Sequence, residues 1–378
     1  MKATVLGAGM VGTTIAWDLA RMGYDVTVVD ARQKALLAIK ERVPVHVLER
    51  DLSLPAAVTE VVAGADIVVG ALSSALGLQT LQAVVAAKKN YVDISFMEEN
   101  AWEHGHLAEE SGVTCVVDCG VAPGSSNVLI GHEVSQLDSL VSLSILVGGL
   151  PVIRKKPFEY KAPFAPIDVI NEYVRPSRVV EHGQIVFKEA LSEPELVEFS
   201  GVGTLEAFNT DGLRSLAYTM QAPTMREKTL RYPGHIELMR VLRDAGFFSA
   251  APMFIDNAAV TPLDVSSRLL FKAWAFEDRE PDLTVLRVVL CGTRERRPVR
   301  ITWEMDDRYD PIENFRSMSR TTGFPAVIVA NLIATGDFVK PGVHPPEAVG
   351  RVPGLADRMV KELGERGVRF RRTESSDQ

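Results

Sequence analysis

Ala3-Thr4-Val5-Leu6-Gly7-Ala8-Gly9-Met10-Val11-Gly12 decides the fold of this chain. A short β-branched and apolar run meets a G-x-G-x-x-G turn, and an apolar-periodic segment follows from Thr13 to Met22. A strand, a glycine turn and a helix in that order make a dinucleotide-binding fingerprint, which the glycine spacing alone would not. Gly7 permits the tight turn, Gly9 lets the backbone approach a pyrophosphate, and Gly12 lets the helix pack closely on the strand. The helix start at Met10 and Val11 offers backbone N–H groups and a positive dipole end to the phosphates.

The next strand, Asp25 to Asp30, ends in a carboxylate. An acidic group at that place accepts hydrogen bonds from the adenosine ribose hydroxyls, and it repels a 2′-phosphate. Asp30 therefore points to NAD. Arg32 argues the other way, because a nearby guanidinium accommodates the 2′-phosphate of NADP. Read as a solvated helix start, Arg32 leaves NAD as the expected cofactor and NADP as the alternative.

The alternation continues. Helices predicted at Gln33–Arg42, Ala56–Ala63, Gln79–Lys88 and Glu103–Ser111 separate strands at Val45–Asp51, Ala65–Ala71, Asn90–Ser95 and Thr114–Asp118. Short connections between such elements predict an α/β, doubly wound parallel (Rossmann) sheet. Its ligands bind beyond the carboxyl ends of the strands, which directs Leu72, Ser73, Asp93, Ser95 and Asp118 to one crevice. Asp51 has two readings, a contact to the adenine amine or a cap on the helix near Pro55. After the sixth strand, Gly120, Ala122 and Pro123 form a defined turn, expected to pass over the nicotinamide.

From Val141 the pattern becomes β-rich and hairpin-like. Ser142–Val147 alternates, Val179–Phe187 holds a hairpin at His182-Gly183, and Thr284–Leu290 joins Val299–Met305 through a charged turn. These features predict an inserted α+β domain on an antiparallel sheet. Ser317–Thr335 reads as a long helix of small and apolar residues suited to packing on a nucleotide domain. The expected division is therefore 1–125 plus 316–378 for dinucleotide binding, and 126–315 for substrate binding and dimerisation. Arg371 to Gln378 are polar and expected to be disordered.

At 378 residues the chain exceeds one typical core. Its net charge of -8 argues against a nucleic-acid or anionic-membrane surface. No apolar run approaches the ~18–20 residues of a membrane span. Cys115, Cys119 and Cys291 lack metal-ligand spacing, and His104 and His106 do not share a helix face, so no metal is expected. With no leader ahead of the first strand, a cytoplasmic location is expected.

With these motifs placed, the chain resembles the saccharopine dehydrogenase-like family, and within it the L-lysine 6-dehydrogenase branch. The resemblance rests on the N-terminal glycine motif, Tyr91-Val92-Asp93-Ile94-Ser95-Phe96-Met97 and Gly120-Val121-Ala122-Pro123-Gly124. It continues through Val147-Gly148-Gly149-Leu150-Pro151, Asp211-Gly212-Leu213-Arg214-Ser215, Leu230-Arg231-Tyr232-Pro233-Gly234-His235 and Ser317-Met318-Ser319-Arg320. It implies a Rossmann domain interrupted by an α+β domain, a homodimer or dimer-based oligomer, and an amino acid or amine substrate. Saccharopine reductases of this family carry an aspartate where this chain has Ala122 and a tyrosine where it has Phe96. Those departures favour the lysine branch.

The implied reaction is NAD-dependent oxidative deamination of the terminal amine of L-lysine or a close analogue. The alternatives are a saccharopine- or carboxynorspermidine-type reductase, or an NAD-binding protein without turnover. Amine oxidation needs a base, for which His235, Asp93 and Asp211 are the candidates. His235 has the intrinsic pKa nearest neutrality, Asp93 sits at the sheet edge, and Asp211 lies in a glycine turn. A cation must hold the remote carboxylate. Arg214 is the first choice, with Arg231 and Lys161 behind it.

Overall fold

The structure, a computed structural model, describes residues 1–162 and 166–376. It divides into two compact units, Met1–Gln136 with Ser319–Arg369, and Leu137–Met318 with Phe370–Gln378.

In the first unit, strands β1 (Lys2–Leu6), β2 (Asp25–Asp30), β3 (His46–Glu49), β4 (Ile67–Gly70), β5 (Asn90–Asp93) and β6 (Thr114–Val116) build a parallel sheet. Its order is Gly342–His344, β6, β5, β4, β1, β2, β3, a seven-stranded doubly wound arrangement. All four residues of β4 are buried, as expected for a central strand covered on both faces. Gly342–His344 pairs parallel with β6. The sequence reading missed it, because three residues carry no measurable period.

Helix α1 (Met10–Arg21) follows the glycine turn. A Cβ on Gly12 would lie 2.1 Å from the Gly7 carbonyl oxygen, so this close approach requires glycine. The helix Ser317–Ala334 uses small residues in the same way. A Cβ on Gly323 would lie 3.2–3.5 Å from Ile15, Thr14 and Val11, and the Thr14 and Ser319 hydroxyls are 3.1 Å apart.

The helix Ser125–Val134 belongs to the first unit, where the sequence reading had assigned it to the second. Backbone packing explains the difference. Cβ atoms on Gly131 and Gly350 would lie 2.3 Å and 2.0 Å from the carbonyl oxygens of Glu347 and Val128. Asn127 Nδ2 also donates to the buried Glu347 carboxylate at 3.0 Å. No local signal before Pro346 announces that partner.

The second unit is built on a nine-stranded sheet. Its strands pair antiparallel with one exception among the described residues. Thr224–Arg231 runs parallel to Ser139–Pro151, so the sheet is mixed rather than antiparallel. Alternation along a strand reports which face is buried and not the direction of the neighbour. The hairpin Ser177–Glu181 to Gln184–Lys188 turns at His182-Gly183, with φ of 51° and 77°. The pair Asp282–Arg294 and Arg297–Arg308 turns at Glu295-Arg296, also at positive φ.

The C-terminal stretch is ordered where disorder was expected. Phe370–Ser375 adds an edge strand to Arg297–Arg308. Phe370 packs edge-on against Trp303 with centroids 6.4 Å apart, and Arg371 pairs with Glu304. Charges on an edge strand suit its exposed side. Residues 377–378 lie outside the described residues.

Asp282 closes this unit's entry into the long C-terminal helix. Its buried carboxylate accepts from the Ser317 and Met318 amides at 2.7 Å and 3.1 Å, and burial raises its pKa to about 6. Among the described residues, no helix is long and apolar enough to cross a membrane.

Candidate functional site

The first unit carries a cradle at the carboxyl ends of β1 and β2. Gly7, at φ 109°, turns the chain directly under Ala71, whose carbonyl oxygen would meet a Cβ at 2.4 Å. At Gly9 the opposite holds, since a Cβ there would meet no atom within 4 Å. The backbone at Gly9 therefore faces open space, and no side chain caps the N-terminus of α1. The turn fits a pyrophosphate held by backbone amides at a positive helix end.

Asp30 ties β2 to that turn. Its Oδ2 accepts from the Ala8 amide at 2.8 Å, and its Oδ1 accepts from the Arg32 amide at 2.8 Å. The Arg32 side chain adds a two-pronged pair, Nε to Oδ1 and the second guanidinium nitrogen to Oδ2, each at 3.0 Å. Against the penalty of burial, the hydrogen bonds from Arg32 and Ala8 hold the Asp30 carboxyl below its usual range.

Asp51 is exposed, and its carboxylate accepts from the Ser53 amide at 2.9 Å. It shapes its own turn. The residue preceding the Pro55–Val62 helix is Leu54, so Asp51 is not that helix's cap. Just past β4, Leu72 is half-buried and Ser73 exposed, ahead of the short turn Ser74–Leu76.

At the end of β5 the chain gathers buried polar groups. Asp93 Oδ2 accepts from the Ser95 hydroxyl at 2.5 Å, and Oδ1 from the Ser95 amide at 3.1 Å. Gly70 makes room, since a Cβ there would collide with Tyr91 Oη at 2.0 Å and Asp93 Oδ1 at 2.7 Å. Burial raises the Asp93 pKa to about 7, and the nearby Asp118 charge adds to the rise against the Ser95 hydrogen bonds. A half-ionised carboxyl at neutral pH is suited to moving protons. The Cys119 amide donates to the Asp93 carbonyl at 2.8 Å, anchoring the start of the Gly120–Gly124 turn beside it. That turn contains a cis Ala122–Pro123 peptide.

The second unit holds two further polar clusters. In the first, Asp211 takes a two-pronged ion pair from Arg178, with both contacts at 2.7 Å. Next to it, Glu227 Oε2 accepts from the Thr210 hydroxyl at 2.6 Å and the Gly212 amide at 3.0 Å. Burial pushes Glu227 up to about 8, so it is largely uncharged at neutral pH. Arg214, buried and at φ 48°, completes this loop.

The second cluster surrounds His235, at the start of the His235–Asp244 helix. Its Nδ1 faces the Phe158 carbonyl and its Nε2 faces the Tyr173 hydroxyl, both at 2.9 Å. Arg231 Nε donates to the same hydroxyl at 3.3 Å, and its guanidinium donates to Glu172 at 2.6 Å. The Arg231 guanidinium also lies 4.5 Å over the Tyr160 ring. Burial, and then the Arg231 charge, drive His235 down to about 3. His235 is a neutral histidine with both nitrogens engaged. Lys161 Nζ donates to the Ala275 carbonyl at 2.6 Å and lies 3.6 Å from Glu280.

The structure thus joins the glycine turn to Asp30, and Asp93 to Ser95. Within the second unit it places His235 and Asp211 in separate clusters. Asp93 stands in the first unit, and the other two are committed to separate partners in the second. The sequence reading did not single out Glu227, Glu172, Tyr173 or Arg178. Each earns its environment from a partner distant in sequence.

Two family models match the chain. One described as the saccharopine dehydrogenase NADP binding domain covers residues 3–116, and one described as the saccharopine dehydrogenase C-terminal domain covers 120–368. Mitochondrial alpha-aminoadipic semialdehyde synthase of Bos taurus is 24% identical over 263 residues, 63% of this chain and 27% of that protein. The chain therefore spans about a quarter of the length of that relative. A D-amino acid dehydrogenase of Paramagnetospirillum magneticum is 60% identical over 35 residues, 9% of this chain and 8% of that protein. Apo saccharopine dehydrogenase (L-Glu forming) from Saccharomyces cerevisiae shares the fold, with a TM-score of 0.81. That comparison covers 99% of this chain and 100% of the yeast chain at 18% identity.

Proposed function

The chain belongs to the saccharopine dehydrogenase family, and on that premise we propose that it is an NAD-dependent oxidoreductase acting on the terminal amine of L-lysine or a close analogue. It converts amine, NAD and water to semialdehyde, NADH and ammonia. The observation that carries the reading is the Asp30 carboxylate, bound at 2.8 Å to the Ala8 amide inside the glycine turn. A ribose acceptor is thereby built onto the phosphate cradle.

When bound, the nicotinamide supplies the hydride acceptor for the amine-bearing carbon. The backbone of Gly7 to Gly12 holds the pyrophosphate, and Asp30 orients the adenosine ribose. Leu72, Ser73 and the turn Gly120, Ala122 and Pro123 border the nicotinamide half. Asp93 takes the proton, because its pKa of about 7 matches the task. Arg214, in the Asp211–Ser215 loop that carries part of the family resemblance, is the residue we assign to the substrate carboxylate. His235 holds Tyr173 and Arg231 in place.

Ala122 and Phe96 support the lysine branch, as they supply no side-chain proton donor where saccharopine reductases carry aspartate and tyrosine. A second reading, a reductase joining an amine to a carbonyl carbon, is favoured by the family models that bear the saccharopine name over both parts of the chain. The test is to supply NAD and L-lysine and to measure NADH and ammonia together. Saccharopine-dependent reduction of NADP, with no response to lysine, would select the second reading.

A further inference from the structure

Four hydrogen bonds reach the Asp30 carboxylate, two on each oxygen. A carboxylate offers about four lone-pair sites, so this one is fully engaged. Two of the bonds come from backbone amides of the turn and of the chain after β2, and these are fixed by the fold. The other two come from the Arg32 side chain, one to each oxygen at 3.0 Å. That side chain is 66% exposed, against 8% for Asp30. The Arg32 fork therefore sits on the sites, one per oxygen, that a pair of ribose hydroxyls would use.

We propose that the Arg32 guanidinium is an internal occupant of the ribose subsite, displaced when NAD binds and recruited when NADP binds. The inference rests on the dinucleotide-binding reading above and goes beyond it by assigning the choice of cofactor to a competition. NAD exchanges one two-pronged partner of Asp30 for another, and so binds against the Arg32–Asp30 pair. NADP brings a 2′-phosphate that repels Asp30, and the released guanidinium then pairs with that phosphate. Removing Arg32 must move the two affinities in opposite directions. The shift for NAD is modest because an exposed ion pair is well screened.

The test is equilibrium titration calorimetry of the full chain with NAD and with NADP, comparing wild type, Arg32→Ala and Arg32→Gln. Both variants are expected to bind NAD up to about fivefold more tightly and NADP about tenfold more weakly. The NAD difference between wild type and variants narrows as salt rises and screens the pair. Affinities for both cofactors that move in the same direction, or that do not move, overturn the inference while leaving the dinucleotide site standing. A wild-type chain that binds neither cofactor overturns the proposed function, and the inference falls with it.

Discussion

The Tyr173 hydroxyl donates to Nε2 of His235 at 2.9 Å, because the Phe158 carbonyl, 2.9 Å from Nδ1, obliges that nitrogen to carry the ring proton. The tautomer is thus fixed by a main-chain acceptor. His235→Ala leaves a cavity and takes from the buried Tyr173 hydroxyl the acceptor of its proton. It is expected to destabilise the protein by about 2–4 kcal/mol in denaturant unfolding. The folded pKa of about 3 lies below the ordinary 6.5. The unfolded chain therefore binds the extra proton, and stability falls as pH drops from 6.5 towards 3. His235→Asn should flatten that acid-side decline.

Asp93 is shifted the other way. Its folded pKa of about 7 exceeds the ordinary 3.8, so the stability it contributes is present at low pH and is lost as pH rises towards 7. In the proposed reaction, the ionised form is the proton acceptor. The rate is expected to rise with an apparent pKa near 7, and Asp93→Asn should lower kcat by about 100-fold or more. An Asp93→Asn enzyme with an unchanged pH–rate profile would place the proton acceptor elsewhere.

Two glycines in one turn should behave differently. Gly12→Ala drives a Cβ to within 2.1 Å of the Gly7 carbonyl, so a drop in Tm of the whole protein is expected. Gly9→Ala has open space and should keep the wild-type Tm. It should nevertheless weaken NAD binding by about tenfold or more, because the new methyl occupies the phosphate's approach. Circular-dichroism melting and NAD titration separate the two effects.

Glu227 is largely neutral near pH 7, with a folded pKa of about 8 against 4.5. Its stabilising contribution declines as pH rises from 4.5 through 8. Glu227→Gln imitates the protonated acid and keeps an acceptor for Thr210 and Gly212. The variant should gain stability relative to wild type across that window and level off above it. Urea unfolding at several pH values reads the difference.

Local pattern carried the first unit well. The strand–turn–helix at Ala3–Met22 and the carboxylate at Asp30 are short-range features, and buried parallel strands read as continuous apolar runs. What stayed hidden depends on distant partners. The parallel pairing of Thr224–Arg231 with Ser139–Pro151, and the final strand Phe370–Ser375, are set by neighbours far along the chain. Asp211 looked like a turn residue with catalytic promise, yet its fate is decided by Arg178, 33 positions away. His235 looked titratable near neutrality for the same reason. Its burial and its neighbour Arg231 appear only when the sheet and the helix are packed.

The most direct test follows NADH absorbance and ammonia release when purified protein is given NAD and L-lysine. One ammonia per NADH, with the signal reduced by Asp93→Asn and by Arg214→Ala, is the predicted result. No NADH from lysine or its close analogues, from a protein that binds NAD by titration, would contradict the account.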